Sequence, residues 1–354
     1  MKDLLRANYN LDVESIIKVS PKTYRIQANG QPFLLKNNQN PDVENIIKRL
    51  EMLNIDTFVI PIKNVDDEYI ISYEDDYYAL YPYFEDDNTL NKDIRIRFYI
   101  KSLAFLHTQS SFKINGTDGY FSETLDYLED RIKDVNELLL ARIRRVERES
   151  YHSPSDWFFL VNYEKFNNAI KESKKHLKNL EDTLSESEGN LCLTYRNFDY
   201  SHIIVKRQKI VSIDKMSIAP SIYDLFFLFD ESISNKLDSS YYLKEYLQVH
   251  PLNKYEIEEL LTFLFIPKVK RMKDESSDID ILLKALNYLN QVEKASQILI
   301  DDTIFNNNLL LFLFFILNSK IYKIIDRTNN ILINVFFIKK AWINWYINKS
   351  GKLL

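Results

Sequence analysis

The residues best suited to chemistry in this chain lie close together, between Leu191 and Leu225. Two β-rich runs, Leu191 to Thr194 and His202 to Val205, flank a polar loop that includes Arg196, Asn197, Asp199 and Ser201. A third run, Ile210 to Ile213, delivers Asp214 at its end. A polar loop ahead of one hairpin strand and a carboxylate just after the next can both reach the same phosphates, which is the layout of phosphoryl transfer. The five histidines, at 107, 152, 176, 202 and 250, stand apart from one another and have no cysteine nearby, so no zinc site is expected. The single cysteine, Cys192, excludes an intramolecular disulfide; in its apolar run it reads as a structural thiol in a reducing compartment.

Positioning those groups requires a frame, and the first 85 residues predict a sheet with one helix. Glu14 to Val19, Thr23 to Ala28 and Pro32 to Lys36 are β-rich, and Asn29-Gly30 between the last two is a two-residue hairpin signal. Asn40-Pro41-Asp42 opens a helix in which Val43, Ile46, Ile47, Leu50 and Leu53 recur at helical spacing. Further strands are expected over Phe58 to Ile62, Glu68 to Ser72 and Tyr77 to Tyr83. From Asn88 the pattern is mostly helical: Ile94 to His107, two long charged helices split by Ser153-Pro154, a uniformly apolar helix over Ser221 to Asp230, then helices near 240–249, 253–265 and 277–299. No internal repeat and no Pro- or Gly-rich linker interrupts this order, so a continuous two-lobed unit is expected with its cleft near Tyr81 to Asp87.

With 354 residues, 45% of them apolar and 27% charged, the chain has the composition of a globular protein with a sizeable core. Only five glycines occur, against roughly 25 from average usage, so glycine-rich phosphate cradles are scarce. The net charge of −5 gives no reason to expect a nucleic-acid partner, and MKDLLRANYN lacks the apolar core of a signal peptide. Residues 303–354 depart from the rest: seven basic residues against Asp326 make +6 there, which leaves −11 for the first 302. The apolar runs Leu309 to Leu317 and Ile331 to Ile338 are too short to span a bilayer. A peripheral helix pair packed on the body is the leading expectation for this extension. An amphipathic surface carrying Trp342, Trp345 and Tyr346 against an anionic membrane, and sequence foreign to the fold, are the alternatives.

The order of elements and the pattern at 195–225 resemble the aminoglycoside phosphotransferase and choline kinase group, and within it spore-coat proteins of the CotS/YutH type from endospore-forming bacteria. The resemblance covers about residues 10–300 and rests on the order of its motifs. It implies an α+β, two-lobed protein-kinase-like fold: a small antiparallel sheet lobe over 1–84, a mostly helical lobe over 85–302, and an atypical extension over 303–354. It further implies that Lys36, closing Phe33-Leu34-Leu35-Lys36, holds nucleotide phosphates, with Glu44 as its carboxylate partner and Glu51 as the second choice. Tyr83, in Tyr81-Pro82-Tyr83-Phe84-Glu85, falls where the lobes join and an adenine would lie. His107, in Leu103-Ala104-Phe105-Leu106-His107, takes a packing role.

Against the group's pattern of His-Gly-Asp, two residues, Pro-Gly-Asn, the chain places Asn197 at the catalytic Asp and His202 at the metal-binding Asn. An amide accepts no proton at neutral pH, and imidazole is a poor ligand for magnesium. Val211-Ser212-Ile213-Asp214 keeps the metal-binding Asp, followed by Lys215 where an aromatic is usual. Ala219-Pro220-Ser221-Ile222-Tyr223-Asp224-Leu225 keeps the structural Asp, whose carboxylate would accept hydrogen bonds from the catalytic-loop backbone. The leading expectation is a degenerate phosphotransferase, a pseudokinase with a structural or interaction role among other spore-coat proteins, confined by this resemblance to the endospore coat and with no assigned cofactor. The alternative is an active kinase for a sugar or amino alcohol, using ATP and magnesium with Asp199 as substitute base.

Overall fold

The structure, a computed structural model, describes residues 1–37, 43–74, 76–85, 91–114, 119–184, 189–235, 237–270, 275 and 277–300. The chain divides into two compact units, Met1–Leu299 and Ile300–Leu354. The expectations for the basic extension, and for the helix opening at Asn40 to Asp42, lie outside the described residues.

The first unit begins with a helix that the sequence reading did not include, α1 (Lys2–Tyr9), whose Leu4 and Leu5 are buried. Five antiparallel strands follow: β1 (Val13–Ser20), β2 (Thr23–Ala28), β3 (Gln31–Asn37), β4 (Ile71–Tyr73) and β5 (Asp76–Pro82), in the order β1-β2-β3-β5-β4. Asn29 (φ 50°) and Gly30 (φ 70°) both adopt positive φ, the conformation a tight two-residue hairpin requires and the reason this pair signals one. β3 is central, so Lys36 is fixed from both sides, opposite Thr23 on β2 and Ala79 on β5. α2 (Val43–Met52) buries Val43, Ile47 and Leu50, one stripe at i, i+4, i+7.

Phe58 to Ile62 is not a strand. Phe58 makes one isolated bridge to Ile210, the Val59 N–H donates to Ile210 O at 2.8 Å, and the Ile62 N–H donates to Leu80 O at 2.7 Å. The segment spends its backbone groups on two different partners, so it runs alongside neither. It thereby ties the sheet to the region that carries Asp214.

The helical part comprises α3 (Lys92–Ser110), α4 (Gly119–Arg148), α5 (Pro154–Leu184), α6 (Phe226–Asn235), α7 (Ser239–Leu247), α8 (Lys254–Leu264) and α9 (277–300). α8 opens with a reciprocal cap: Asn253 accepts from the Glu256 N–H while the Glu256 carboxylate accepts from the Asn253 N–H. Between the helices run β6 (Phe112–Ile114), β7 (Gly189–Thr194), β8 (Ile203–Ile204), β9 (Lys209–Ile210) and β10 (Ser217–Ala219). β7 is the middle of a three-stranded sheet with β10 and β6, and β8 pairs with β9 as a short hairpin. At Gly189, where β7 begins, a Cβ would lie 1.9 Å from the Phe121 ring, so only glycine fits against it. Both hairpin strands are shorter than the runs predicted, since the chain leaves the ladder to turn at His202 and again at Ser212.

Candidate functional site

One buried carboxylate holds the loop that follows β7. Asp224 closes a short helical turn, Ser221–Asp224, and accepts the Tyr195 N–H on Oδ2 and the Arg196 N–H on Oδ1, both at 2.6 Å. A third donor, His107 Nε2–H, reaches Oδ2 at 3.0 Å from α3, and the Tyr246 hydroxyl on α7 lies 2.6 Å from the other ring nitrogen. Arg95, on the same apolar face of α3, reaches the far side of the loop and donates to Tyr200 O at 2.6 Å. The Tyr195 ring is fully buried between Phe58 and Tyr99, and its hydroxyl donates to Val211 O at 2.5 Å. Loop, helix and hairpin are thus cross-braced before any reactive group is considered.

The second half of the site collects the groups that could meet phosphate and metal. Lys36 Nζ donates to Asp214 Oδ2 at 2.8 Å and to Ser212 Oγ at 2.9 Å, and lies over the Tyr81 ring. Asp214 Oδ1 is buried and has no hydrogen-bond partner among the described residues. Ser212 sits in the left-handed region (φ 65°), which turns its carbonyl toward the loop, where Asn197 Nδ2–H donates to it at 2.7 Å. His202 Nδ1 lies 2.9 Å from Asn197 O. Burial lowers the His202 pKa, with its hydrogen bond to Asn197 O acting in the opposite sense, so the imidazole is neutral at pH 7.

The structure brings together Lys36, Asn197, His202 and Asp214, and places Asp224 behind them. It does not bring Glu44 to Lys36: the Glu44 carboxylate pairs with Lys48 one turn along its own helix at 2.8 Å, a nearer partner than anything across the cleft. Glu51 likewise faces Lys63, at 3.4 Å. Tyr83 carries the Arg25 guanidinium over its ring at 4.5 Å. Asp199, the expected substitute base, is bound into the turn it caps, its Oδ1 accepting the Ser201 N–H at 2.8 Å and the Ser201 hydroxyl at 2.7 Å. Those bonds, the hydroxyl's first, hold its carboxyl below the usual range and make it a weaker base. Sequence reasoning missed Ser212 and Arg95. Ser212 gave no signal inside an apolar run, but Arg95 did, as a charged residue in line with Tyr99, Ser102 and Leu106 on a buried helix face.

Magnesium, which a phosphotransferase fold implies, is poorly matched by these donors. One Asp214 oxygen is engaged by Lys36, and the side chain at the second metal position offers imidazole nitrogen in place of a hard oxygen. Among the described residues no group of three or more His, Cys, Asp or Glu side chains is arranged to hold a metal ion. Beside the loop, a cavity of about 320 Å³ opens between Arg196 and the rings of Tyr99, Phe198, Tyr223 and Phe227.

No protein-family model matches the chain, and no curated protein matches it. Solved structures do. An aminoglycoside phosphotransferase from Alicyclobacillus acidocaldarius aligns with 83% of this chain and 93% of its own length, with a TM-score of 0.61 and 13% identity. A spectinomycin phosphotransferase solved with AMP aligns with 83% of this chain and 96% of its own, with a TM-score of 0.49 and 14% identity. A choline kinase from Streptococcus pneumoniae covers 85% and 97%, with a TM-score of 0.41 and 15% identity. The first superposition carries the fold: this chain has the two-lobed, α+β architecture of the protein-kinase-like fold. Among the described residues, no helix is long and apolar enough to cross a membrane.

Proposed function

We propose that this chain is a pseudokinase: a phosphotransferase fold that binds a nucleotide without transferring its phosphoryl group. One observation carries the reading. At the position of the catalytic acid, Asn197 presents an amide that donates a hydrogen bond to Ser212 O at 2.7 Å. A general base must accept a proton there, and an aspartate in the same place would oppose two oxygens across that distance. The loop is therefore built around an amide, and Asp199 is spent on its cap. Lys36 remains available to nucleotide phosphates once it parts from Asp214, so ATP is the ligand this reading implies.

A place among the proteins of the endospore coat extends the proposal, supported by the motif resemblance at Lys36, Asp214 and Ala219 to Leu225 alone. A fluorescent fusion that stays diffuse through sporulation in an endospore-forming host would remove it. Transfer is tested by ADP release from ATP with magnesium or manganese, over a panel of amino alcohols and aminoglycosides. The expected rate is that of buffer; turnover that Asp214→Ala abolishes would sink the pseudokinase reading and restore the active small-molecule kinase.

A further inference from the structure

We propose that the cavity beside the loop binds a small aromatic carboxylate, with Arg196 holding the carboxylate and the surrounding rings holding the aromatic body. The proposal involves neither Lys36 nor phosphoryl transfer, so it stands apart from the proposed function.

The charges of the lining set the sign of the ligand. Two carboxylates and one guanidinium face the cavity, those of Asp224, Asp230 and Arg196. Asp224 spends Oδ1 on the Arg196 N–H and Oδ2 on the Tyr195 N–H and His107 Nε2–H. Asp230 is paired with Lys268, just beyond α8. The Arg196 guanidinium has no carboxylate partner among the described residues and lies over the Tyr223 ring at 5.5 Å. An amine entering here would find both acids engaged, whereas an anion would meet a planar fork of N–H donors. A monoanion matches that one charge, and a dianion would leave an excess negative charge facing Asp230.

The walls set its shape. Phe198 and Phe227 stack at 4.2 Å with 23° between their planes, and Tyr99 meets the two rings at 5.0 and 4.9 Å. Tyr99 is 1% exposed, so this wall is anchored in the core and stands ready before a ligand arrives. The Tyr223 ring completes the lining beneath the guanidinium. A volume of about 320 Å³ lies at the small end of ligand pockets and suits one ring with a short acidic side chain.

The backbone fixes the point from which Arg196 reaches the cavity. Its φ of 53° lies where glycine is the cheaper residue, and the His-Gly-Asp pattern resembled by this loop has glycine there, so the cation belongs to this chain. The bond from its N–H to the buried Asp224, at 2.6 Å, holds that conformation. A strained backbone that carries a charge to the edge of an aromatic cavity is the arrangement of a ligand contact.

The test is isothermal titration calorimetry of the wild-type full chain with phenylacetate, compared with benzylamine, which reverses the charge, and acetate, which lacks the ring. Phenylacetate should bind with a Kd of about 1 mM or tighter, and about tenfold or more tightly than either comparison. Arg196→Met should weaken phenylacetate by about tenfold or more. No phenylacetate binding at about 10 mM, benzylamine or acetate binding as tightly, or unchanged affinity in Arg196→Met would each overturn the proposal. The three-ligand comparison uses the wild-type chain, so it decides the matter even if the variant misfolds. Turnover of ATP would overturn the pseudokinase reading and leave this comparison unaffected.

Discussion

Asp214 and Asp224 stand ten positions apart, and their surroundings are opposite in kind. The Asp224 side chain is 1% exposed and receives three N–H donors, two from the loop backbone and one from His107. The Asp214 side chain is 31% exposed, with one oxygen on Lys36 and the other without a partner among the described residues. Around Asp224 every contact braces one element against another. Around Asp214 the polar contacts among the described residues are those of Lys36 alone, and the backbone two residues before it turns through a left-handed residue, Ser212. The difference teaches that, in this fold, the carboxylate that braces the loop and the carboxylate that meets Lys36 are held by separate sets of contacts.

Substitutions at the two acids and their partners should break the comparison most sharply. Asp224→Ala leaves two loop N–H groups and His107 Nε2–H without their acceptor in the protein interior, and should cost about 3–5 kcal/mol of stability by urea denaturation. Lys36→Met removes the cleft ion pair, whose groups are 15% and 31% exposed, while keeping most of the apolar stem; the expected change is within about 1 kcal/mol. Equal losses from the two substitutions would mean that the cleft pair is as structural as the buried carboxylate.

A second acid on the braced side sharpens the point through pH. Glu259 on α8 is fully buried beside Tyr255 and Tyr223, and burial pushes its carboxyl up to about 7 from an ordinary 4.5. A raised carboxyl favours the folded state fully below the unfolded value, and that stability drains as pH rises from about 4.5 to 7. Glu259→Gln should therefore be more stable than wild type at pH 8 by about 2–3 kcal/mol relative to the same comparison at pH 5. His250, lowered by burial to about 4, acts in the opposite direction below pH 6.5 and affects both chains alike. Urea midpoints of the two chains at both pH values are the measurement; parallel curves would show that Glu259 carries no such penalty.

The braced half was more legible in the sequence than the cleft half, for a physical reason. Asn29-Gly30 needs only two positive φ angles, and Asp224, closing the turn that Ser221 begins, contacts a loop about thirty positions away. Signals of that kind are local or nearly so. Lys36 meets Ser212 and Asp214 across 176 and 178 positions, and nothing near Lys36 in sequence distinguishes that pairing from one with Glu44, which had Lys48 available at i+4. The left-handed turn at Ser212 was hidden because the residue that makes it is not glycine or asparagine. Short strands such as β6 and β10, three residues each, are too brief to show alternation.

The smallest expected effect isolates the strain at the boundary between the two halves. Arg196 holds φ 53°, a region that costs a side-chain-bearing residue about 1 kcal/mol, while its N–H is locked to Asp224 and its guanidinium lies over the Tyr223 ring at 5.5 Å. Arg196→Gly relieves the strain, loses an exposed cation–π contact worth about 0.5 kcal/mol and frees the unfolded chain, so its net change should be under about 0.5 kcal/mol. Arg196→Ala keeps the strain and loses the same contact. The glycine variant should therefore be the more stable of the two by about 0.5–1 kcal/mol in urea, and identical midpoints would show that Asp224 holds the loop there without backbone cost.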